Sequence, residues 1–180
     1  MQTKSMRGFT LIELLVLVAI VAILATVAVP EFGTTIKNDR DLAQANRLLD
    51  SLSLARSEAI KGATNVTICA GTTIACGGGS WAGGWVVFYA TLPPGVSNPV
   101  IQISPAITGG DTFTSDGGYT FTFQSNGALT PAPATPVNFT LCDTRGAEFA
   151  HSIGLAATGR AQAGAALGFE IDGSTALACP

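Results

Sequence analysis

GFTLIELLVLVAIVAILATVAVP, from Gly8 to Pro30, holds one carboxylate, Glu13, among apolar residues, and from Leu14 to Val29 its only polar side chain is Thr26. A helix over Phe9 to Val29 rises about 1.5 Å per residue and so covers roughly 30 Å, the thickness of a hydrocarbon core. The stretch is long enough to span a membrane. Ahead of it lies MQTKSMRG, whose Lys4 and Arg7 would hold that end on the cytoplasmic side.

Glu13 needs a reason to be there, because a carboxylate inside a membrane helix costs roughly 2.5 kcal/mol or more. An ordinary secretory signal ends in a small-residue cleavage site beyond the apolar run. Here Gly-Phe-Thr-Leu-Ile-Glu precedes the run, and the chain continues into charged, helix-compatible sequence. That arrangement resembles a type IV prepilin signal. The resemblance implies cleavage between Gly8 and Phe9 by a prepilin peptidase, methylation of the new Phe9 amine, and retention of the apolar helix. The ammonium of Phe9 would then lie one turn before Glu13 on the same face, at a helix end that favours negative charge. In pilins, by the same resemblance, Glu13 pairs with a neighbour's amine and sets the register of assembly.

The chain has 180 residues, 47% of them hydrophobic and 12% charged, which allows one membrane helix and one globular domain. With Lys4 and Arg7 removed, the nine Lys and Arg fall to seven against twelve Asp and Glu, a net charge of about −5. From Ala63 onward the cations besides His151 are Arg145 and Arg160, set against Asp111, Asp116, Asp143, Glu148, Glu170 and Asp172. An acidic globular part argues against strong capture of nucleic acid, whose usual footprint is a basic patch.

Cys69, Cys76, Cys142 and Cys179 lie beyond the apolar segment, on the oxidising side if the leader stays inside. Three connectivities are open. Cys69 with Cys76, a short local loop, and Cys142 with Cys179, which ties down the C-terminus, are favoured; the second closure is worth about 4 kcal/mol in the chain-entropy model. A four-cysteine zinc site is the rival, against which stands the lack of any CxxC pair.

Pro30 and Gly33 should bend or loosen the helix without ending it. Beyond them Leu42, Ala45, Leu49, Leu52 and Ala59 make an apolar stripe opposite Lys37, Arg40, Arg47, Asp50, Arg56 and Lys61, with Gly62 as C-cap. The period then turns strand-like. Val66 and Ile68 alternate with Thr67 and Cys69, which places Cys69 away from the core. Gly71 to Gly84 reads as a loop, Trp85 to Tyr89 as a buried strand, and Val100 to Ile103 as another. Gly109 to Gly118 reads as a second loop, followed by inward Tyr119, Phe121 and Phe123. Asn126 and Gly127 offer a turn, and Pro131, Pro133 and Pro136 suggest a longer, stiff connection. Val137, Phe139 and Leu141 point inward with Cys142 outward; strands around Ser152 to Ala157 and over Leu167, Phe169 and Ile171 complete the chain. One long helix followed by short strands gives an α+β fold with largely antiparallel pairing.

The segments LARSEAIKGATNVTICA, SWAGGWVVFYA, FTFQSNGALTP, FTLCDTRG and IGLAATGRAQA are similar to successive segments of the GspH/FimT family of pilins and pseudopilins. That resemblance implies a pilin fold: residues 1–8 as leader, 9–30 as transmembrane and assembly helix, 31–62 as the amphipathic half of the long helix, and 63–180 as a β-rich domain packed against it. The cysteines and Leu141-Cys142-Asp143 make the chain more similar to the minor pilins FimU and FimT than to the type II secretion pseudopilin. A low-copy type IV pilus subunit is implied, priming assembly or sitting near the fibre tip, with other pilins, the peptidase and the inner membrane as partners. Its globular part would be periplasmic before assembly and on the cell-surface fibre afterwards. The FimT branch binds DNA for transformation through Gly-Arg-x-Arg. Here that motif reads Gly159, Arg160, Ala161, Gln162, so DNA contact through Arg160 is a second reading.

No enzyme is read here. His151 is the single histidine, and no nucleophile elbow, phosphate loop or dinucleotide fingerprint appears; Gly77 to Gly79 lack the strand, helix and lysine a phosphate cradle needs. No cofactor is implied. Trp81 and Trp85 fit core packing better than a binding surface. An adhesin-like tip using the two glycine-rich loops is a less specific third reading.

Overall fold

A computed structural model describes residues 9–77 and 79–180, with backbone alone over 27–31. The expected leader, with Lys4, Arg7 and Gly8, lies outside the described residues, as does Gly78. The chain divides into two compact units, one ending at Asp39 and one running from Arg40 to Pro180. Helix α1, Leu11–Lys61, begins in the first and ends in the second, and its backbone stays helical through Pro30 and Gly33.

In the first unit the described apolar side chains face outward. Leu11, Ile12, Leu14, Leu15, Val16, Leu17, Val18, Ile20, Val21, Ile23, Leu24 and Phe32 are all exposed. Among the described residues no helix is long and apolar enough to cross a membrane. The side chains described without interruption from Leu11 end at Thr26, about 24 Å of rise, and the sequence extends the apolar run through Val29. Thr26 donates its hydroxyl to the Ile23 carbonyl at 2.7 Å, which satisfies the run's one polar side chain within its own helix.

In the second unit α1 lies against strands β1 (Val66–Ala70), β2 (Trp85–Tyr89), β3 (Val100–Ser104), β4 (Thr112–Ser115), β5 (Thr120–Phe123), β6 (Leu129–Thr130), β7 (Val137–Cys142), β8 (His151–Leu155) and β9 (Ala161–Ala163). They form two antiparallel sheets, ordered β3-β2-β1-β5-β6 and β4-β7-β8-β9. The α+β class expected from the sequence is the one found. Ala45, Leu48, Leu52, Ala55 and Ala59 of α1 share one core with Ile68 and Val87 of the first sheet and Phe139, Leu141 and Ile153 of the second. Trp81 sits edge-on to Phe139 at 5.1 Å and stacks on Phe121 at 5.9 Å, while its indole N–H donates to the Gly118 carbonyl at 3.0 Å. Trp81 and Trp85 are core residues, with no surface to offer a ligand.

Several expectations need correction. The helix stripe is wider than expected and shifted at its start: Ala45, Leu52 and Ala59 are buried as expected, Asp41, Gln44, Leu48, Ser51 and Ala55 are buried as well, and Leu42 is 48% exposed. Thr112–Ser115, read as loop, is an edge strand, because its backbone finds β7 with Phe113 opposite Leu141. Tyr119 precedes β5 and is 49% exposed rather than inward. Asn126 and Gly127 close a hairpin to β6 before the prolines, through Gly127 N–H to Gln124 O at 2.7 Å. Leu167, Phe169 and Ile171 form no strand. Gly168 and Gly173 take φ of 76° and 71°, leaving one bridge, Phe169 to Ala176.

At the end of α1, Thr64 N–H bonds Ala59 O at 3.1 Å and Ala63 N–H bonds Ile60 O at 3.3 Å, the paired bonds of a Schellman motif. The left-handed residue is therefore Ala63, at φ 46°, one beyond Gly62. A Cβ in that region costs about 1 kcal/mol or more. Ala63→Gly should accordingly raise the stability of the protein by about 1 kcal/mol in denaturant titration, whereas Gly62→Ala, whose Cβ would press on Glu58 O, should not.

Candidate functional site

The chain's chemistry gathers at three places. The first is the start of α1. Thr10 precedes the helix and caps it: Glu13 N–H donates to Thr10 Oγ1 at 3.3 Å, and Thr10 N–H reaches Glu13 Oε2 at 3.5 Å. This reciprocal pair is a capping box, written in the sequence as Thr-Leu-Ile-Glu, a signal that sequence reasoning passed over. It gives Glu13 a local partner. Phe9, beside it, is 73% exposed.

The second is a buried charge network where the Arg40–Pro180 unit begins. Arg40 Nη2 lies 3.0 Å from Asp111 Oδ1 and 3.3 Å from Asp41 Oδ1. Arg145 Nη2 meets Asp41 Oδ2 at 3.2 Å and its Nε meets Asp143 Oδ2 at 2.5 Å. Gln44 Nε2 adds bonds to Asp111 Oδ2 at 3.3 Å and the Thr108 carbonyl at 3.0 Å. A side chain at Gly109 would run into the Arg40 guanidinium, so this approach needs glycine. The network thus joins α1 to the β3–β4 loop and to the turn after β7. Sequence reasoning saw only scattered acids.

Three carboxylates face two guanidiniums here, and one excess negative charge is hard to hold in a buried place. Burial first, then Asp111 and Asp143, push the Asp41 carboxyl from 3.8 up to about 6, with Arg40 pulling the other way. For Asp143, burial acts upward but is outweighed by the backbone and guanidinium bonds of Arg145, so its carboxyl falls below the usual value. His151, half-buried on β8, is lowered by burial and then by Arg145.

The third place holds Arg160. It is exposed on the turn before β9 and lines a cavity with Arg56 of α1. Arg160 takes no part in the ion pairs of the charge network. The four cysteines form Cys69–Cys76 and Cys142–Cys179 bonds, with Cα separations of 5.4 and 5.9 Å, which removes the zinc alternative. Cys69 is fully buried, outside the main core cluster. Cys142 and Cys179 join Ala150 and Leu177 in a small core of their own. Among the described residues no His, Cys, Asp and Glu group could hold a metal.

The family profile described as Type II transport protein GspH matches residues 44–159. The chain belongs to the GspH family. Its N-terminal residues 3–29 match a second profile, the prokaryotic N-terminal methylation motif. Among solved structures it is similar to the type IV minor pilin FimU of Pseudomonas aeruginosa in two crystal forms. These match at TM-scores of 0.57 and 0.54 with 22% and 23% identity, covering 71% and 68% of this chain and 90% of each of theirs. The minor pseudopilin EpsH of the Vibrio cholerae type 2 secretion system aligns at 0.48 with 12% identity, over 69% of this chain and 95% of its own. Family membership and the motif make the chain a minor pilin or pseudopilin with the pilin fold.

The raised Asp41 carboxyl sets a pH dependence with a definite sign. Its folded value lies above its unfolded one, so the stability it contributes is complete below about pH 4 and is lost as pH rises through about 6. Asp41→Asn keeps the shape and removes the titration. The melting temperature of the variant relative to the unsubstituted protein should therefore rise between pH 4 and pH 7, while the His151 titration, common to both, cancels. A constant difference across that interval would show that Asp41 ionises freely.

Proposed function

We propose that the chain is a minor subunit of a type IV pilus, made as a precursor, cut between Gly8 and Phe9 and methylated on the Phe9 amine. It then waits in the inner membrane, held by residues 9–30 with its globular part in the periplasm, and enters the fibre to prime assembly or to sit near its tip. The observation that carries this is the methylation motif over residues 3–29 joined in one chain to a GspH domain over 44–159. The outward-facing apolar side chains of α1 agree with it, because so large an apolar surface is stable only in lipid or against other subunits. The cysteines and the Leu141-Cys142-Asp143 segment favour a pilus over a secretion pseudopilus. The role is structural, with other pilins and the prepilin peptidase as partners.

Glu13 then has two partners in succession. In the precursor it caps the helix through Thr10, and after cleavage the free amine of Phe9 lies within a turn of it, on its own chain or a neighbour's. A charge-assisted bond of this kind is worth about 1.5–3 kcal/mol.

Glu13→Ala should insert and be cleaved, yet its recovery in sheared fibres should fall about tenfold or more; undiminished recovery would contradict the assembly role. Gly8→Leu should leave the full-length precursor uncleaved in the membrane, seen as the larger band on an immunoblot.

A further inference from the structure

In the Arg40–Pro180 unit most cations are committed internally. Arg40 and Arg145 are held by Asp41, Asp111 and Asp143, and Lys61 pairs with Glu58 at 3.3 Å. Arg47 lies 5.1 Å over the Trp85 ring and donates to the Pro105 carbonyl at 3.2 Å. Arg56 and Arg160 differ. Arg56 spends only its Nε, on the Gly127 carbonyl at 3.2 Å, and among the described residues neither arginine has a carboxylate partner. Both line one cavity of about 190 Å³, with Ser53, Ser57, Ile60 and Gly159. Among the described residues no acidic one lines it.

The frame around this cavity is rigid. Gly127, at φ 81°, packs where a Cβ would strike Ile60 and Arg56, and Gly159, at φ 74°, packs where a Cβ would strike the Gly127 carbonyl. Leu129 N–H to Ala157 O at 2.9 Å ties the two turns together, and Ala156 N–H to Arg160 O at 3.0 Å closes the second. Two arginines therefore line the cavity from a fixed backbone, one on α1 and one on the turn before β9. Like charges gathered without a counter-charge are stabilised by an oxyanion brought from outside, and guanidinium forks match a carboxylate in two-point bonds.

We propose that this cavity is a docking socket for the carboxylate of an acidic side chain presented by a neighbouring pilin subunit. The proposal rests on the assembly reading above and adds the surface and the chemistry of one contact. A single protein carboxylate suits the place better than a polyanion. At about 190 Å³ the cavity is small, the scale of one side chain. Ile60 and Ala161 line it for an aliphatic stem, and the Ser53 hydroxyl at its rim is an additional donor. Beyond Ala63, Arg145 and Arg160 are set against six Asp and Glu, a field that repels a nucleic-acid backbone over distance while the socket attracts one carboxylate at contact.

The test is photocrosslinking of the full chain in fibre-producing cells, with benzoylphenylalanine in place of Thr158, which is exposed beside the socket and does not line it, followed by sequencing of the adduct. The expected adduct is a peptide of another pilin subunit containing an Asp or Glu. Its yield should fall about tenfold in Arg56→Gln/Arg160→Gln, the loss of roughly one charge-assisted bond. Arg160→Glu should abolish the adduct, and exchange of the partner's acidic residue for Lys should restore it, a rescue that a misfolded variant could not give. An unchanged yield in the double variant, or an adduct peptide with no carboxylate, overturns the proposal. So does a duplex-DNA mobility shift by the purified full chain that Arg160→Gln removes, since that assigns the socket to phosphate. If the chain is recovered from sheared fibres but gives no adduct, the socket fails and the pilus reading stands; absence from the fibres ends both.

Discussion

Two sheets share one helical stripe, and the domain depends on that sharing. Ala45, Leu48, Leu52, Ala55 and Ala59 supply the buried apolar α-helical surface that the Arg40–Pro180 unit brings to its core among the described residues. Alanine at three of these five positions lets the strands approach closely, and the aromatic rings of Trp81, Phe113, Phe121 and Phe139 fill the space between the sheets. Loss of Leu48 or Leu52, each fully buried, would open a cavity that both sheets border, at a cost of about 2–5 kcal/mol for truncation to Ala.

The same stripe begins on charge instead of hydrocarbon. Asp41 and Gln44 occupy core-facing positions two turns and one turn before Leu48, and each is matched from far along the chain, by Arg145 and Asp111. A buried network of this kind adds little net stability over an apolar replacement, but it penalises any register in which its partners miss one another. Rotation of α1 against the sheets would strand a carboxylate, so the network fixes which face of the helix is inside.

Much of this was legible in the residues. Val137, Phe139 and Leu141 alternate as a half-buried strand should, and the helix, the strand-rich remainder and the family all follow from pattern. The failures share a cause: the deciding partner is remote or the backbone overrides the side chains. Nothing in the sequence marks Asp41 as buried, because its partner Arg145 lies 104 residues away. Thr112–Ser115 looked like loop because one inward phenylalanine among glycines carries no period, and only β7 makes it a strand. Leu167, Phe169 and Ile171 have the right period, yet two left-handed glycines break the extended run. At the N-terminus the reverse happened: the Thr10–Glu13 box was present in the letters, and attention to charge pairing alone concealed it.

That box lies wholly on the far side of the Gly8–Phe9 bond. Under the proposed processing, cutting that bond would leave both hydrogen bonds of the Thr10–Glu13 pair in place. In that proposal proteolysis would act as a change of charge on a capped helix end: a neutral amide would become an ammonium, and a carboxylate already held at the helix entrance would acquire a cation to meet.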